Sequence, residues 1–209
     1  MIPLVRPRLL LATRNRDKVR EIREALDGLE LDLVTIDELG PLPEVIEDQE
    51  TLKGNAIKKA ATLASISGLP ALADDTGLEV DVLHGAPGVF SSRYSGENAT
   101  YAENVSKLLR EMAGIPAAQR TARFRCVIAI AGTDRVDTVD GVCEGLILAA
   151  PQGTDGFGYD PVFMVPGSGK TFAELPLSEK NRISHRGRAL KEARKLLKAM
   201  LERGELQAR

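Results

Sequence analysis

The 209-residue chain has two cysteines, two histidines and a formal net charge of only −2. Each scarcity excludes a class of function. Cys126 and Cys143 sit in strand-like runs without C-x-x-C spacing, so they read as core thiols in a reducing compartment, not as a disulfide or metal pair. His84 and His185 cannot build a histidine-rich zinc centre, and no G-x-S-x-G elbow marks a serine hydrolase. A nearly neutral chain has no general attraction for polyanions. Nucleic acid and anionic membrane are therefore not expected as partners, and a phosphate ligand must be met by local charge. Long apolar runs are also missing. The longest, around Cys126 to Ala131, falls far short of the roughly 20 residues a membrane helix needs. Arg14 interrupts the leucines after Arg8 too early for an export signal. The expectation is a cytoplasmic protein.

What is present is ordinary for a globular chain: 43% hydrophobic and 28% charged residues, enough for a core in one domain spanning residues 1–209, with room for two closely joined lobes. Residues 8–12 read as a buried strand. After the polar turn Thr13-Arg14-Asn15, the helical spacing of Val19, Ile22, Leu26 and Leu29 predicts a helix with Asn15 as N-cap and Asp17 in its first turn. Residues 31–36 read as a second strand. A Pro- and acid-rich loop over 37–50 then leads to a helix over 51–67, ended by Gly68 and Pro70. Residues 71–73 read as the close of a buried strand that delivers Asp74 and Asp75 into a Gly-rich loop reaching Gly96. Thr100 with Glu103 is a capping-box pattern for a helix to about Met112. Residues 123–131 and 136–148 read as long strands with Asp134 in their turn, 151–169 as a second Gly/Pro-rich loop, and Ser184 as the cap of a final helix with Leu190, Ala193, Leu197 and Met200 on one face. This mixture predicts an α/β fold with a mixed sheet and flanking helices.

The polar groups gather in the turns. Thr13 to Lys18, where a strand feeds a helix, offers backbone N–H groups, the Asn15 amide and the Lys18 ammonium; it reads either as a phosphate cradle or as an ordinary capped helix. Gly167-Ser168-Gly169-Lys170-Thr171 imitates the end of a Walker A loop. The pattern needs glycine where Met164 stands, and Pro176 interrupts the helix that should follow, so the segment reads as a solvated turn. Asp74 and Asp75 point to opposite sides if the backbone stays extended; one of them could coordinate a hard cation and orient water, or the two could simply form a turn. Any one of Glu44, Glu47, Asp48 and Glu50 could complete a magnesium site, most of these acids being solvent-facing. Phe157-Gly158-Tyr159-Asp160-Pro161 combines aromatic surface with a carboxylate, suited to stacking a base and accepting from its ring N–H groups, or to anchoring a turn. Lys180, His185 and Arg186 collect donors near a helix start. Taken singly, these segments fit an enzyme or a nucleotide-binding sensor without turnover.

Taken in order, they resemble the inosine triphosphate pyrophosphatase family over nearly the whole chain. The matching residues are Thr13-x-Asn15-x-x-Lys18; Thr51 with Asn55-Ala56 and Lys59; Ala73-Asp74-Asp75-Thr76-Gly77-Leu78; Gly85-Ala86-Pro87-Gly88 with Ser92-Arg93-Tyr94-Ser95-Gly96; Gly156 to Pro161; Glu179-Lys180-Asn181; and Ser184-His185-Arg186. The resemblance implies an elongated two-lobed fold with a central substrate cleft, usually a homodimer. It implies hydrolysis of ITP, dITP and XTP to monophosphate and pyrophosphate with Mg2+; broader triphosphate specificity is the alternative. By the same resemblance Asp75 is the proton acceptor supported by Asp74, and Glu47 with Asp75 holds Mg2+. Thr13, Asn15, Lys18, Lys59 and Thr76 belong to the substrate-binding set. Phe157 stacks on the purine in a loop with Gly158 and Tyr159, and Asp160, Lys180, His185 and Arg186 contact the base. One departure stands out: Gly54 precedes Asn55 where many relatives carry Glu. Glu47 is favoured by position as the second metal carboxylate, with Glu44 as the alternative.

Overall fold

The computed structural model describes residues 6–132 and 134–206. Strand β1 (Arg8–Leu11) carries three fully buried leucines and pairs in parallel with β2 (Asp32–Thr35), Leu10 opposite Val34. Helix α1 (Arg16–Leu26) makes the crossover and buries Ile22 and Leu26; it stops before Leu29. Asn15 caps it as expected, its Oδ1 accepting from the N–H of Asp17 at 2.9 Å and of Lys18 at 3.2 Å. A short helix α2 (Ile36–Leu39) follows directly on β2, where the sequence reading has strand and then loop. Helix α3 (Leu52–Ser67) starts at Thr51, whose Oγ1 accepts from the Gly54 N–H at 3.0 Å, and ends at Gly68 with a left-handed φ of 70°.

Strand β3 (Ala71–Val80) corrects the expectation that the strand closes at Ala73. It runs straight through Asp74, Asp75, Thr76 and Gly77. Leu10 and Leu11 of β1 pair with Ala71 and Leu72 in parallel; farther along, Leu78 and Glu79 pair antiparallel with Gly88 and Pro87 of β4 (Pro87–Gly88). Neighbours on either side and complete burial of Leu78 and Val80 override the turn tendency of Asp and Gly. Strand alternation therefore governs the two aspartates and turns them to opposite faces.

Helix α4 (Tyr101–Glu111) begins on the predicted Thr100/Glu103 capping box. Strands β5 (Thr121–Ala131) and β6 (Val136–Ile147) match the expected long strands within two residues, and they bury both cysteines as free thiols. Strand β7 (Phe163–Val165) pairs antiparallel with β6, and β8 (Lys170–Thr171) with β7. After Thr171 comes a 3₁₀ turn, Phe172–Glu174, instead of the helix a P-loop requires. Helix α5 (Leu177–Ile183) starts just after Pro176 and was not expected; proline ends one segment there and is tolerated at the entry of the next. Helix α6 (His185–Glu202) buries the predicted face of Leu190, Ala193, Leu197 and Met200. The sheet order is β2-β1-β3-β5-β6-β7-β8 with β4 on β3, a mixed sheet with flanking helices.

The chain divides into two compact units. The first comprises residues up to Asp75, Val127–Asp140, and the chain from Ala189 on; the second is Thr76–Cys126 with Gly141–Arg188. The second has its own core of Leu78, Leu108, Met112, Phe124, Phe163 and Phe172. The chain thus changes unit inside β3, β5 and β6 and within α6. Among the described residues no helix is long and apolar enough to cross a membrane.

Candidate active site

In the first unit, the turn after β1, the acid loop before α3, α3 itself and β3 bring together Lys18, Glu47, Asn55, Lys59, Asp74 and Asp75. Lys18 Nζ lies 3.0 Å from Asp74 Oδ2, with the Asp74 side chain wholly inaccessible. Lys59, one turn past Asn55 on the core-facing side of α3, is ion-paired with Glu47. Asp75 is 6% exposed, and Asn55 Nδ2 donates to its Oδ2 at 3.0 Å. Burial first and the Glu47 carboxylate second push the Asp75 carboxyl up to about 6, against the pull of Lys18, Lys59 and the Asn55 hydrogen bond. Burial opposes the charge on Lys59, yet Glu47, Asp74 and Asp75 outweigh it and hold the ammonium above its usual range. Glu44, Asp48 and Glu50 are exposed, as most acids of that loop were expected to be, whereas Glu47 is turned inward. Thr13 Oγ1 accepts from the Asn15 N–H at 3.2 Å, tightening the turn that carries Lys18.

The donor set suits a hard cation. Glu47 and Asp75 are close enough that one charge raises the proton affinity of the other, a repulsion a divalent ion relieves. Among the described residues no group of three or more His, Cys, Asp or Glu is placed to hold a metal ion. Mg2+ is commonly held by one or two carboxylates, with water and phosphate oxygens completing its octahedron.

In the second unit, Asp160 Oδ2 accepts from the Phe157 N–H at 2.8 Å and from Lys180 Nζ at 2.7 Å, and both charged partners are almost fully buried. Gly156 is required here: its φ is 75°, and a Cβ would collide with the Asp160 carboxylate. The Phe157 ring has Lys180 Nζ at 4.8 Å and the Arg186 guanidinium carbon at 5.3 Å from its centroid. Arg186 also donates to Thr76 Oγ1 at 3.1 Å. His185 is buried and stacked on Phe124, centroids 4.4 Å apart. The Tyr159 side chain turns into the core, donating its hydroxyl to the Ser91 carbonyl at 2.9 Å, so only its backbone faces the loop. Two residues given no role by the sequence stand beside these groups. Asn55 bridges to Asp75, and the Tyr101 ring lies 6.0 Å from Phe157. A signal for Asn55 exists in the sequence: it falls at helical spacing with Leu52, Ala56 and Lys59 on the buried face of α3, where a polar side chain needs a partner.

The profile of the Ham1 family matches residues 9–196. A dITP/XTP pyrophosphatase of Geobacter sulfurreducens is 55% identical over 185 residues, 88% of this chain and 92% of that protein. A dITP/XTP pyrophosphatase of Desulforamulus reducens is 52% identical over 191 residues, 91% and 95% of the two chains. Among solved structures, a HAM1 protein from Coxiella burnetii superposes with a TM-score of 0.85 at 43% identity, covering 92% of this chain and 99% of that one. The resemblance read from the motifs and the mixed α/β fold are both borne out. The chain belongs to the Ham1 family.

Proposed function

We propose that this chain is a Mg2+-dependent pyrophosphohydrolase that clears non-canonical purine triphosphates (dITP, XTP and ITP), releasing the monophosphate and pyrophosphate. The observation that carries the reading is the buried Asp75 carboxyl, pushed up to about 6 beside Glu47, Lys18 and Lys59. Such a group is ionised at neutral pH and still basic enough to take a proton from water. Water activated by Asp75 adds at the anhydride between the α- and β-phosphates; the P–O bond to the pyrophosphate breaks and the proton stays on Asp75. Lys18 and Lys59 face the negative charge of the triphosphate, and Asn15 with its turn positions it. The buried cluster holds three carboxylates against two ammoniums, so it cannot by itself neutralise a polyphosphate. Mg2+ held by Glu47 and Asp75 would supply the missing positive charge and polarise a phosphoryl oxygen.

The base is read by the second unit's residues. Phe157 offers the stacking face, while Lys180 and Arg186 are cationic donors at the same ring. A donor opposite position 6 rewards the carbonyl of hypoxanthine or xanthine and opposes the amino group of adenine, a mismatch that can discriminate by roughly 10⁴-fold. The names of the relatives, dITP/XTP pyrophosphatase, support the same substrate class. Family resemblance also supports a homodimer, which light scattering would test. Incubating the protein and Mg2+ with dITP, XTP, ITP, GTP, ATP and dTTP, and quantifying pyrophosphate and monophosphate, tests the activity. Turnover is expected for the first three and near-absence for ATP and dTTP. No turnover of any triphosphate would refute the enzyme reading, and equal rates would refute the selectivity.

A further inference from the structure

We infer that Asn55 is a positioning residue for the hydrolytic reaction, a single buried amide that fastens the acid loop and the Asp75 carboxylate to each other. The inference rests on the reading of Asp75 as the base and adds to it a residue that acts through Asp75 and the acid loop.

The side chain is 1% exposed and works in two directions. Its Oδ1 accepts from the backbone N–H of Gln49 at 2.9 Å, and its Nδ2 donates to Asp75 Oδ2 at 3.0 Å. The partners dictate the polarity. Gln49 N–H can only donate and ionised Asp75 can only accept, so the bridge needs one acceptor and one donor on a short stem. Leucine of the same size offers neither, and aspartate offers only acceptors. Gln49 lies two residues beyond Glu47, so the amide anchors the loop carrying that carboxylate while fixing the rotation of Asp75.

Gly54 belongs to the same device. A Cβ at this position would lie 2.9 Å from Gln49 Cβ and 3.1 Å from Thr51 Oγ1. The glycine lets the acid loop close over the first turn of α3, within reach of Asn55. The departure at position 54 is thus a packing solution: it admits the loop that brings Glu47 inward.

The test uses the full-length protein with dITP and Mg2+. Asn55→Ala should lower kcat roughly ten- to hundredfold, as expected for a misplaced reacting group, with KM for dITP changed less than about threefold. Asp75→Asn is the control. If that variant keeps wild-type turnover, the reading of the base fails; if it is inactive while Asn55→Ala turns over normally, the positioning role is overturned. A melting cycle without metal or substrate, at about pH 8, decides the matter even if Asn55→Ala does not fold. Asn55→Asp keeps the acceptor for Gln49 but sets carboxylate against carboxylate, and should lower Tm. Combining it with Asp75→Asn restores a donor–acceptor pair of reversed polarity, and should raise Tm by more than Asp75→Asn alone does in the wild-type background. Equal Tm for Asn55→Asp and wild type, or a gain in the double variant no larger than that of Asp75→Asn alone, would overturn the bridge.

Discussion

Asp75 meets two opposed demands in one side chain, since burial disfavours its charge and catalysis requires it. As proton acceptor Asp75 must be ionised, so kcat/KM on dITP should fall with unit slope on the acid side, and Mg2+ on the same carboxylate would move that limb below the metal-free value of about 6; a profile without an acid limb would contradict the assignment. Asp75→Asn should reduce kcat by at least about 10²-fold while triphosphate binding survives. The same group makes a stability prediction. Its folded pKa is raised above the model value of 3.8, so the native state binds the proton more tightly than the unfolded chain. In the metal-free protein the contribution of Asp75 to stability therefore falls as pH rises from about 4 to about 6 and is not regained above. Asp75→Asn should be the more stable protein at about pH 8, by up to about 3 kcal/mol, with the difference vanishing near pH 4. Urea titrations at the two pH values would measure it, and a less stable variant at the higher pH would refute the sign. At this scale the sequence was informative about capping and charge: Asn15 and the Thr100/Glu103 box stand where their short-range chemistry puts them. It marked Asn55 only as a polar residue on a buried helix face and gave no sign of the inward turn of Tyr159, because their partners lie 20 and 68 residues away.

Elements whose signal is local were legible almost to the residue. Helices α1, α3, α4 and α6 carry caps and apolar spacing, and β5 and β6 are long enough to stand out. The continuation of β3 through Asp-Asp-Thr-Gly was not legible, because its strand character comes from neighbouring strands and burial. Helix α5 was hidden by length: seven residues between a proline and a cap carry too little periodicity. One element junction depends on a single side chain. Arg120, 6% exposed, donates to the carbonyls of Met112, Ile147 and Leu148 at 2.8, 2.7 and 3.0 Å, tying the end of α4 to the end of β6. Arg120→Ala removes three hydrogen bonds, two of them buried, and should cost about 3 kcal/mol in unfolding free energy. Arg120→Lys should regain less than half, since an ammonium lacks the planar fork. A loss below about 1 kcal/mol on Ala substitution would show that water or relaxation satisfies those carbonyls.

For the whole molecule, the notable property is how often the chain changes unit. No single cut yields two pieces that each contain one unit, because β3, β5, β6 and α6 all contribute to both. Unfolding one unit removes the anchored half of every shared element from the other. Calorimetry should accordingly give one transition, with van't Hoff and calorimetric enthalpies agreeing; two resolved transitions would contradict this coupling. The location of β3 among these crossings also limits what changes the chain can accept. Asp75 and Thr76 are consecutive, one beside the hydrolytic cluster and the other bonded to Arg186, and every residue after them keeps its face by counting in twos. Inserting or deleting one residue there would leave every functional side chain in the protein yet turn Leu78 and Val80 out of their core. A loop can absorb an added or lost residue; here the spacing itself carries the function, and only substitution leaves the register intact.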